Sequence, residues 1–334
     1  MDVSFLGGPQ PQLGVGVVAP FDFALDRELW RWVPDDVSLH LTRTPFVPVE
    51  VSLDLARMVS EHETLRSAVE ALSAVSPQVI AYACTSGSFV GGLAGERAMT
   101  AAMVQAGAVP SLTTSGALIE ALRELDAWHV AVVTPYTRSV TDSLEAFLGE
   151  AGITVTGRAY LGLTRHIWQV PYRDVVAMAR TAVGEGTDAL FISCTNLPTY
   201  DAIPQLEAEL RMPVVSANQV TLWAALRAIG VRAVGSYQAL LDPVARAGPA
   251  GMTSAPPAPS TPEVPGSRPD APPDDVPQVP PEADAAAPAD TPAEWDPAAP
   301  AEPAPAPPGE PQTGADPAEG RTRKARARRG GTRR

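Results

Sequence analysis

Two apolar runs stand out along the chain, and both stop in the same way. Val79-Ile80-Ala81-Tyr82-Ala83 gives way to Cys84-Thr85-Ser86-Gly87-Ser88, and Ala189-Leu190-Phe191-Ile192 gives way to Ser193-Cys194-Thr195-Asn196. Apolar runs without alternation predict strands buried on both faces, as in a parallel sheet. The small polar residues after the first run predict a helix start, and a helix from about Thr199 follows the second.

The rest of the pattern fits around these two strands. Residues 13–19 are too apolar to face water and form a first strand, residues 26–32 a short helix, and residues 38–44 an alternating strand halted by Pro45 and Pro48. Leu53, Ala56, Val59, Leu65, Val69 and Leu72 recur at near-helical spacing, which predicts one helix over residues 53–75. Helices at 91–106, 118–125 and 141–151 alternate with a strand or loop at 109–114 and a strand at 129–134. A strand at 153–161, an irregular segment at 162–167, helices at 172–184, 199–210 and 219–229, and strands at 189–193 and 214–216 complete the order. Alternation of this kind implies parallel sheets covered on both faces. The order also repeats, with strands ending at Pro20, Thr44 and Cys84 matched by strands ending at Thr134, Leu161 and Cys194. The predicted fold is α/β: two pseudo-symmetric Rossmann-like lobes with parallel sheets, facing each other across a cleft that holds both cysteines.

Composition sets the boundaries. The character of the 334-residue chain changes near Pro243: from Gly248 to Gly320 there are thirteen Asp or Glu against one basic residue, Arg268, with proline or alanine at most other positions. Such a segment has too little apolar surface to offset the entropy of ordering it. The predicted organisation is a flexible N-terminus at 1–12, a first lobe at 13–128, a second at 129–247, and a disordered Pro/Ala-rich acidic tail with a basic end at 248–334.

Charge narrows the partners. The net charge is −13 and the body is acidic, which argues against nucleic acid as the main ligand. Only Arg321 to Arg334, with eight Arg or Lys, is strongly basic. It reads either as a solubilising end or as a weak contact for an anionic partner. The N-terminus lacks a basic region beside a hydrophobic stretch, and no apolar run reaches about 18 residues. Two cysteines without a CxxC pairing suit a reducing compartment. The expectation is a cytoplasmic protein without membrane insertion.

Candidate chemistry gathers at the thiols. Both lie at the carboxyl ends of strands, where open α/β sheets bind ligands. A cysteine at the first turn of a helix faces backbone N–H groups and the positive end of the dipole, which favours thiolate. Thr85, Ser86, Ser88, Thr195 and Asn196 add donors suited to an anion, and a carboxylate held there would lie beside the sulfur. A closed zinc site needs about four ligands, and the body has two cysteines and four scattered histidines, His40, His62, His129 and His166. Lys324, in the tail, is the only lysine, so the body has none for a Schiff base. No GxGxxG or Walker loop occurs. The chemistry expected is free of metal and cofactor.

Cys84-Thr85-Ser86-Gly87-Ser88, Thr134-Pro135-Tyr136 and Cys194-Thr195-Asn196, in that order and spacing, resemble the maleate cis-trans isomerases of the aspartate/glutamate racemase superfamily, close relatives of the arylmalonate decarboxylases. The resemblance covers Leu13 to about Leu241 and omits both ends. It implies that Cys84 is a thiolate nucleophile on a double-bond carbon, and that Cys194 gives and later removes a proton. Thr85 and Ser86, with backbone amides and Tyr136, would hold a carboxylate and steady the dianion formed on it. Two sites depart from the family. An asparagine expected after the first strand is replaced by Phe21-Asp22-Phe23, and another, after the fifth strand, is replaced near Arg165-His166. In the family those residues grip a second carboxylate, so a substrate with one carboxylate plus an apolar or cationic group fits this chain better.

Asp22 is either a cleft residue or a helix cap for the segment at Ala24, and His166 either lines the cleft or is an ordinary loop histidine. The reading is a cofactor-independent isomerase or racemase of a small carboxylic acid using two cysteines. Its alternatives are an arylmalonate decarboxylase-like enzyme and a non-catalytic carboxylate-binding protein on the same fold. The resemblance implies a homodimer.

Overall fold

The computed structural model describes residues 12–242. The expectations for the N-terminal lead-in before residue 12, the acidic tail at 248–334 and its basic end lie outside the described residues.

Two four-stranded sheets, parallel throughout, carry the fold. The first contains β1 (Leu13–Ala19), β2 (Val37–Arg43), β3 (Val79–Tyr82) and β4 (Ser111–Thr113) in the order β2-β1-β3-β4. The second contains β5 (His129–Thr134), β6 (Thr154–Tyr160), β7 (Ala189–Ile192) and β8 (Val214–Ser216) in the order β6-β5-β7-β8. The same order twice makes the lobes pseudo-symmetric. The central strands are the most apolar: β1 pairs Val17 with Ala81 of β3, and β5 pairs Val132 with Phe191 of β7, all four fully buried. Burial on both faces removes any need for alternation. The two apolar runs therefore become neighbours of a central strand, and both cysteines emerge at the same edge of their sheets.

Among the described residues, ten α-helices cover the sheets: α1 (Asp26–Leu29), α2 (Leu53–Val59), α3 (His62–Leu72), α4 (Thr85–Phe89), α5 (Gly92–Gly107), α6 (Thr114–Glu124), α7 (Arg138–Glu150), α8 (Tyr172–Ala182), α9 (Ala202–Leu210) and α10 (Ala217–Ala228). One continuous core passes through both lobes, joining Val17, Ala81 and Leu118 to Val132, Phe191 and Leu222. A smaller cluster beneath α3 and α5 holds Val18, Leu65, Val69, Ile80 and Met103. Helix α10 is buried on every side from Ala217 to Leu226. It follows the second sheet in sequence but packs on α6, β3 and β4 of the first lobe. The Thr114 and Thr221 hydroxyls meet there at 2.8 Å.

The single helix expected over residues 53–75 is two. Helix α2 stops at Val59, whose carbonyl accepts the Tyr82 hydroxyl at 2.8 Å, and α3 restarts at His62. The apolar spacing continues across the break, so the pattern conceals it. The separated α2 lies over the cavity that contains the cysteines.

Polar clamps hold the lobes together. The buried Glu28 of α1 accepts the Thr199 N–H at 3.0 Å, the Thr199 hydroxyl at 2.9 Å and the Asn218 amide at 3.2 Å. Trp32 Nε1 donates to Gln238 Oε1 at 2.9 Å, and Gln219 Nε2 donates to the same oxygen at 2.7 Å. Among the described residues no helix is long and apolar enough to cross a membrane.

Glu207 of α9 ties the end of the described chain to the second sheet. Its carboxylate accepts Val214 N at 2.9 Å and Ala239 N at 2.9 Å, while burial pushes its pKa up to about 7. The folded chain thus holds this proton where the unfolded chain, with a carboxyl near 4.5, has released it. The contribution is fully present below about pH 4.5 and is lost as pH rises through about 7, by at most about 3 kcal/mol. Urea melts at pH 4.5 and pH 8 should show this loss in the wild type but not in Glu207→Gln; parallel losses would mean that the carboxyl keeps its ordinary pKa.

Candidate active site

Each cysteine sits just past the end of a central strand, and the lobes bring the two to one cavity. Its walls include Pro20 and Asp22 after β1, Cys84, Thr85 and Ser86 after β3, Tyr136 after β5, and Cys194, Thr195 and Asn196 after β7. Val51, Ser52, Leu55, Ala56 and Val59, on and before α2, close one side, and Ile167 completes it. The cavity is narrow, about 40 Å³, room for about three water molecules. No Lys, Arg or His lines it.

Cys84 is the N-cap of α4 and is almost fully buried, at 5 % exposure. Gly87 makes room for it. A Cβ at that position would run into the Tyr82 hydroxyl and lie 3.2 Å from Cys84 Sγ. The Ser88 hydroxyl turns away from the thiol, donating to Cys84 O at 2.7 Å and meeting Ser115 Oγ at 2.7 Å, so it joins α4 to α6. The Thr85 hydroxyl, 1 % exposed, finds no hydrogen-bond partner among the described residues. A buried hydroxyl left without a partner is costly, and Thr85 is among the residues that line the cavity.

Cys194 is held differently. No helix begins beside it: Leu197 N bonds back to Cys194 O at 3.1 Å in a turn, and α9 starts only at Ala202. Its φ of +93° is a conformation that glycine adopts freely and other residues adopt only under strain. Neighbouring bonds hold it there. The Thr195 hydroxyl donates to Ala83 O at 3.2 Å, Asn196 Nδ2 donates to Asp22 O at 2.9 Å, and Asn196 Oδ1 accepts Ala24 N at 2.8 Å. Asn196 N points at Cys194 Sγ, 3.4 Å away.

These contacts revise several expectations. Thr195 and Asn196, expected to bind substrate, line the cavity, and their side chains also bridge the lobes. His166 is not brought to the cavity. Its left-handed backbone, φ +55°, turns the ring outward against Trp168, and the next residue, Ile167, takes the wall position. Asp22 lines the cavity and caps nothing through its side chain, since no side-chain cap bond occurs at α1.

The thiols are not held in the low-pKa state expected of a helix start. Burial pushes Cys84 up from its ordinary value, outweighing the Tyr82 hydroxyl, the Gly87 N–H and the Ser86 hydroxyl, and the Asp22 charge adds to the rise. Burial pushes Cys194 up to about 12, against the Tyr136 hydroxyl and the Asn196 N–H, and Asp22 again acts in the same direction. Burial also raises the carboxyl of Asp22 itself. The fully buried Tyr136 touches both electrostatically and meets the Phe89 ring edge-on at 6.4 Å. Among the described residues, no cluster of three or more His, Cys, Asp or Glu could hold a metal ion.

The sequence pattern missed the α2 wall. Leu55, Ala56 and Val59 belong to the apolar face of a helix, a signal present in the spacing, but the same spacing fits a helix packed on a core.

The chain is similar to several known proteins. The arylmalonate decarboxylase family model matches residues 57–241. Arylmalonate decarboxylase of Bordetella bronchiseptica is 31% identical over 63% of this chain and 91% of its own length. Maleate isomerase of Nocardia farcinica is 33% identical over 58% of this chain and 79% of its own length. Among solved structures, a double mutant of arylmalonate decarboxylase in its liganded form superposes with a TM-score of 0.65 at 29% identity, covering 70% of this chain and 100% of that one. A cysteine-to-serine mutant of the Nocardia farcinica maleate cis-trans isomerase, with a covalently bound succinylcysteine intermediate, gives 0.61 at 26% identity, covering 66% and 94%.

Proposed function

The chain belongs to the arylmalonate decarboxylase family, and from that premise we propose that it is a cofactor-independent isomerase or racemase of a small carboxylic acid, working with Cys84 and Cys194 as a thiolate and thiol pair. The observation that carries this reading is that one thiol from each lobe lines the same cavity. Two thiols on opposite sides of one carbon form an acid and base pair for proton transfer.

In the racemase form, the Cys84 thiolate removes the α-proton and the electron pair moves onto the substrate carboxylate. The Thr85 and Ser86 hydroxyls stabilise the enediolate so formed. The Cys194 thiol then delivers its proton to the opposite face, leaving the product with inverted configuration and the thiolate on the other sulfur. In the cis-trans form, the Cys84 thiolate adds to one alkene carbon and Cys194 protonates its neighbour. The new single bond rotates, Cys194 takes the proton back, and Cys84 is expelled. The succinylcysteine in the Nocardia farcinica relative is an adduct of this kind on that protein.

A second reading is favoured by the family model and by the Bordetella bronchiseptica relative, whose names are those of a decarboxylase. There, carbon dioxide leaves a malonate-type acid and one thiol protonates the carbanion. A screen of carboxylic acids in D₂O separates the readings. Deuterium should enter at the α-carbon without release of carbon dioxide and only when both cysteines are present. Carbon dioxide release that survives loss of one cysteine but not of the other would select the decarboxylase.

A further inference from the structure

The cavity contains one carboxyl side chain and no cation to meet it. Asp22 leaves the end of β1 and faces the thiols of Cys84 and Cys194, and its charge reaches both. Among the described residues it forms no ion pair. Its carboxylate is met only by its own backbone N–H, while Asn196 binds the Asp22 carbonyl, not the side chain. The other titratable groups on the wall are Cys84 after β3, Tyr136 after β5 and Cys194 after β7; α2 contributes only Val51, Ser52, Leu55, Ala56 and Val59 from itself and its lead-in. A half-buried carboxylate without a counter-ion is unfavourable and attracts a positive or proton-donating group. It equally repels a second anion.

We propose that Asp22 is the specificity-determining residue of this site: it receives a cationic or hydrogen-bond-donating substituent of a monocarboxylic substrate. The inference rests on the two-thiol reading given above. The geometry divides the substrate into two ends. The carboxylate goes to the free Thr85 hydroxyl and Ser86 beside Cys84, and the donor substituent goes to Asp22 across the cavity. A dicarboxylate would place its second anion against Asp22, which repels it. A donor substituent pairs with that carboxylate instead, so the site selects the acid that carries one.

The test uses the full chain, Asp22→Asn, and Asp22→Ser as a second, shorter variant, with thermal melts to confirm folding. Asparagine retains the Asp22 backbone contact to Asn196. Three acids that differ in one substituent serve as probes: lactate, alanine and methylmalonate, with binding measured by calorimetry at pH 7.5. The wild type should bind lactate or alanine at least about tenfold more tightly than methylmalonate, and both variants should lose or reverse that order. The proposal is overturned if wild type prefers methylmalonate, if it binds none of the three, or if the order is the same in the variants. Failure of the two-thiol reading looks different. Deuterium exchange that does not need both cysteines would sink that reading whatever the order of binding, whereas exchange needing both, with methylmalonate preferred, would remove only the role of Asp22.

Discussion

Cys194→Ser should lower turnover of the true substrate by about 10³-fold or more, and Cys84→Ser should do the same. The two thiols emerge from equivalent strands and meet one cavity, so each proton delivered on one face depends on the other being taken on the opposite face. A serine hydroxyl at either position is too weak an acid to supply or accept that proton near neutral pH. Positioned acid and base groups contribute roughly 10²–10⁴-fold each. The loss should appear in kcat, since the serine leaves the shape of the cavity almost unchanged and both positions are buried. The measurement is kcat on whichever acid the exchange screen identifies, with thermal melts to show that each variant is folded. Full activity of Cys194→Ser would leave Cys84 as the only working thiol and favour decarboxylation.

Glu28→Ala should cost about 2 kcal/mol or more of stability. Glu28 is 8 % exposed and forms no ion pair among the described residues; it accepts the Thr199 N–H, the Thr199 hydroxyl and one Asn218 amide N–H. Alanine removes the acceptor and strands the Thr199 N–H and that Asn218 N–H, while the Thr199 hydroxyl can still donate to Ser216 Oγ at 2.9 Å. Each buried unpaired group costs about 1–3 kcal/mol. Burial raises the Glu28 carboxyl, so part of the charged form's benefit is already offset, and Glu28→Gln, which retains one acceptor oxygen, should lose much less. The damage should also reach the site, because Asn218 donates at 2.9 Å to Thr195 O, next to Cys194. Urea denaturation with an unchanged slope would register the loss. A difference below about 1 kcal/mol would mean that water satisfies these donors as well as the carboxylate does.

The parts legible in advance were those that one dimension encodes. Val79 to Ala83 and Ala189 to Ile192 read as strands buried on both faces, and their shared ending puts Cys84 and Cys194 at equivalent addresses in the sequence pattern alone. Hydrogen-bond capacity was equally visible, but not who uses it. Thr195 and Asn196 look like free donors in sequence, yet Ala83, Asp22 and Ala24 engage them from the other lobe. The break at Ser60 was hidden because apolar spacing continues across it, and the group that ends α2 is Tyr82, on a strand well downstream. The outward turn of His166 depends on one left-handed residue that no propensity marks.

By itself, then, the sequence determined the alternation of parallel strands and helices, the repeat that makes two lobes, and the placing of one thiol at the end of each central strand, because period and composition are local properties of the chain. Only the tertiary structure decided that α10 crosses to the first lobe, that Thr85 keeps a free hydroxyl while Thr195 does not, that α2 covers the cavity, and that both thiols are raised rather than lowered. Those outcomes depend on burial and on partners distant in sequence. A thiol at a helix start is favoured as an anion by nearby dipoles, but the same thiol enclosed by apolar walls and facing Asp22 is not, because desolvation and like charge outweigh the few N–H groups that reach it.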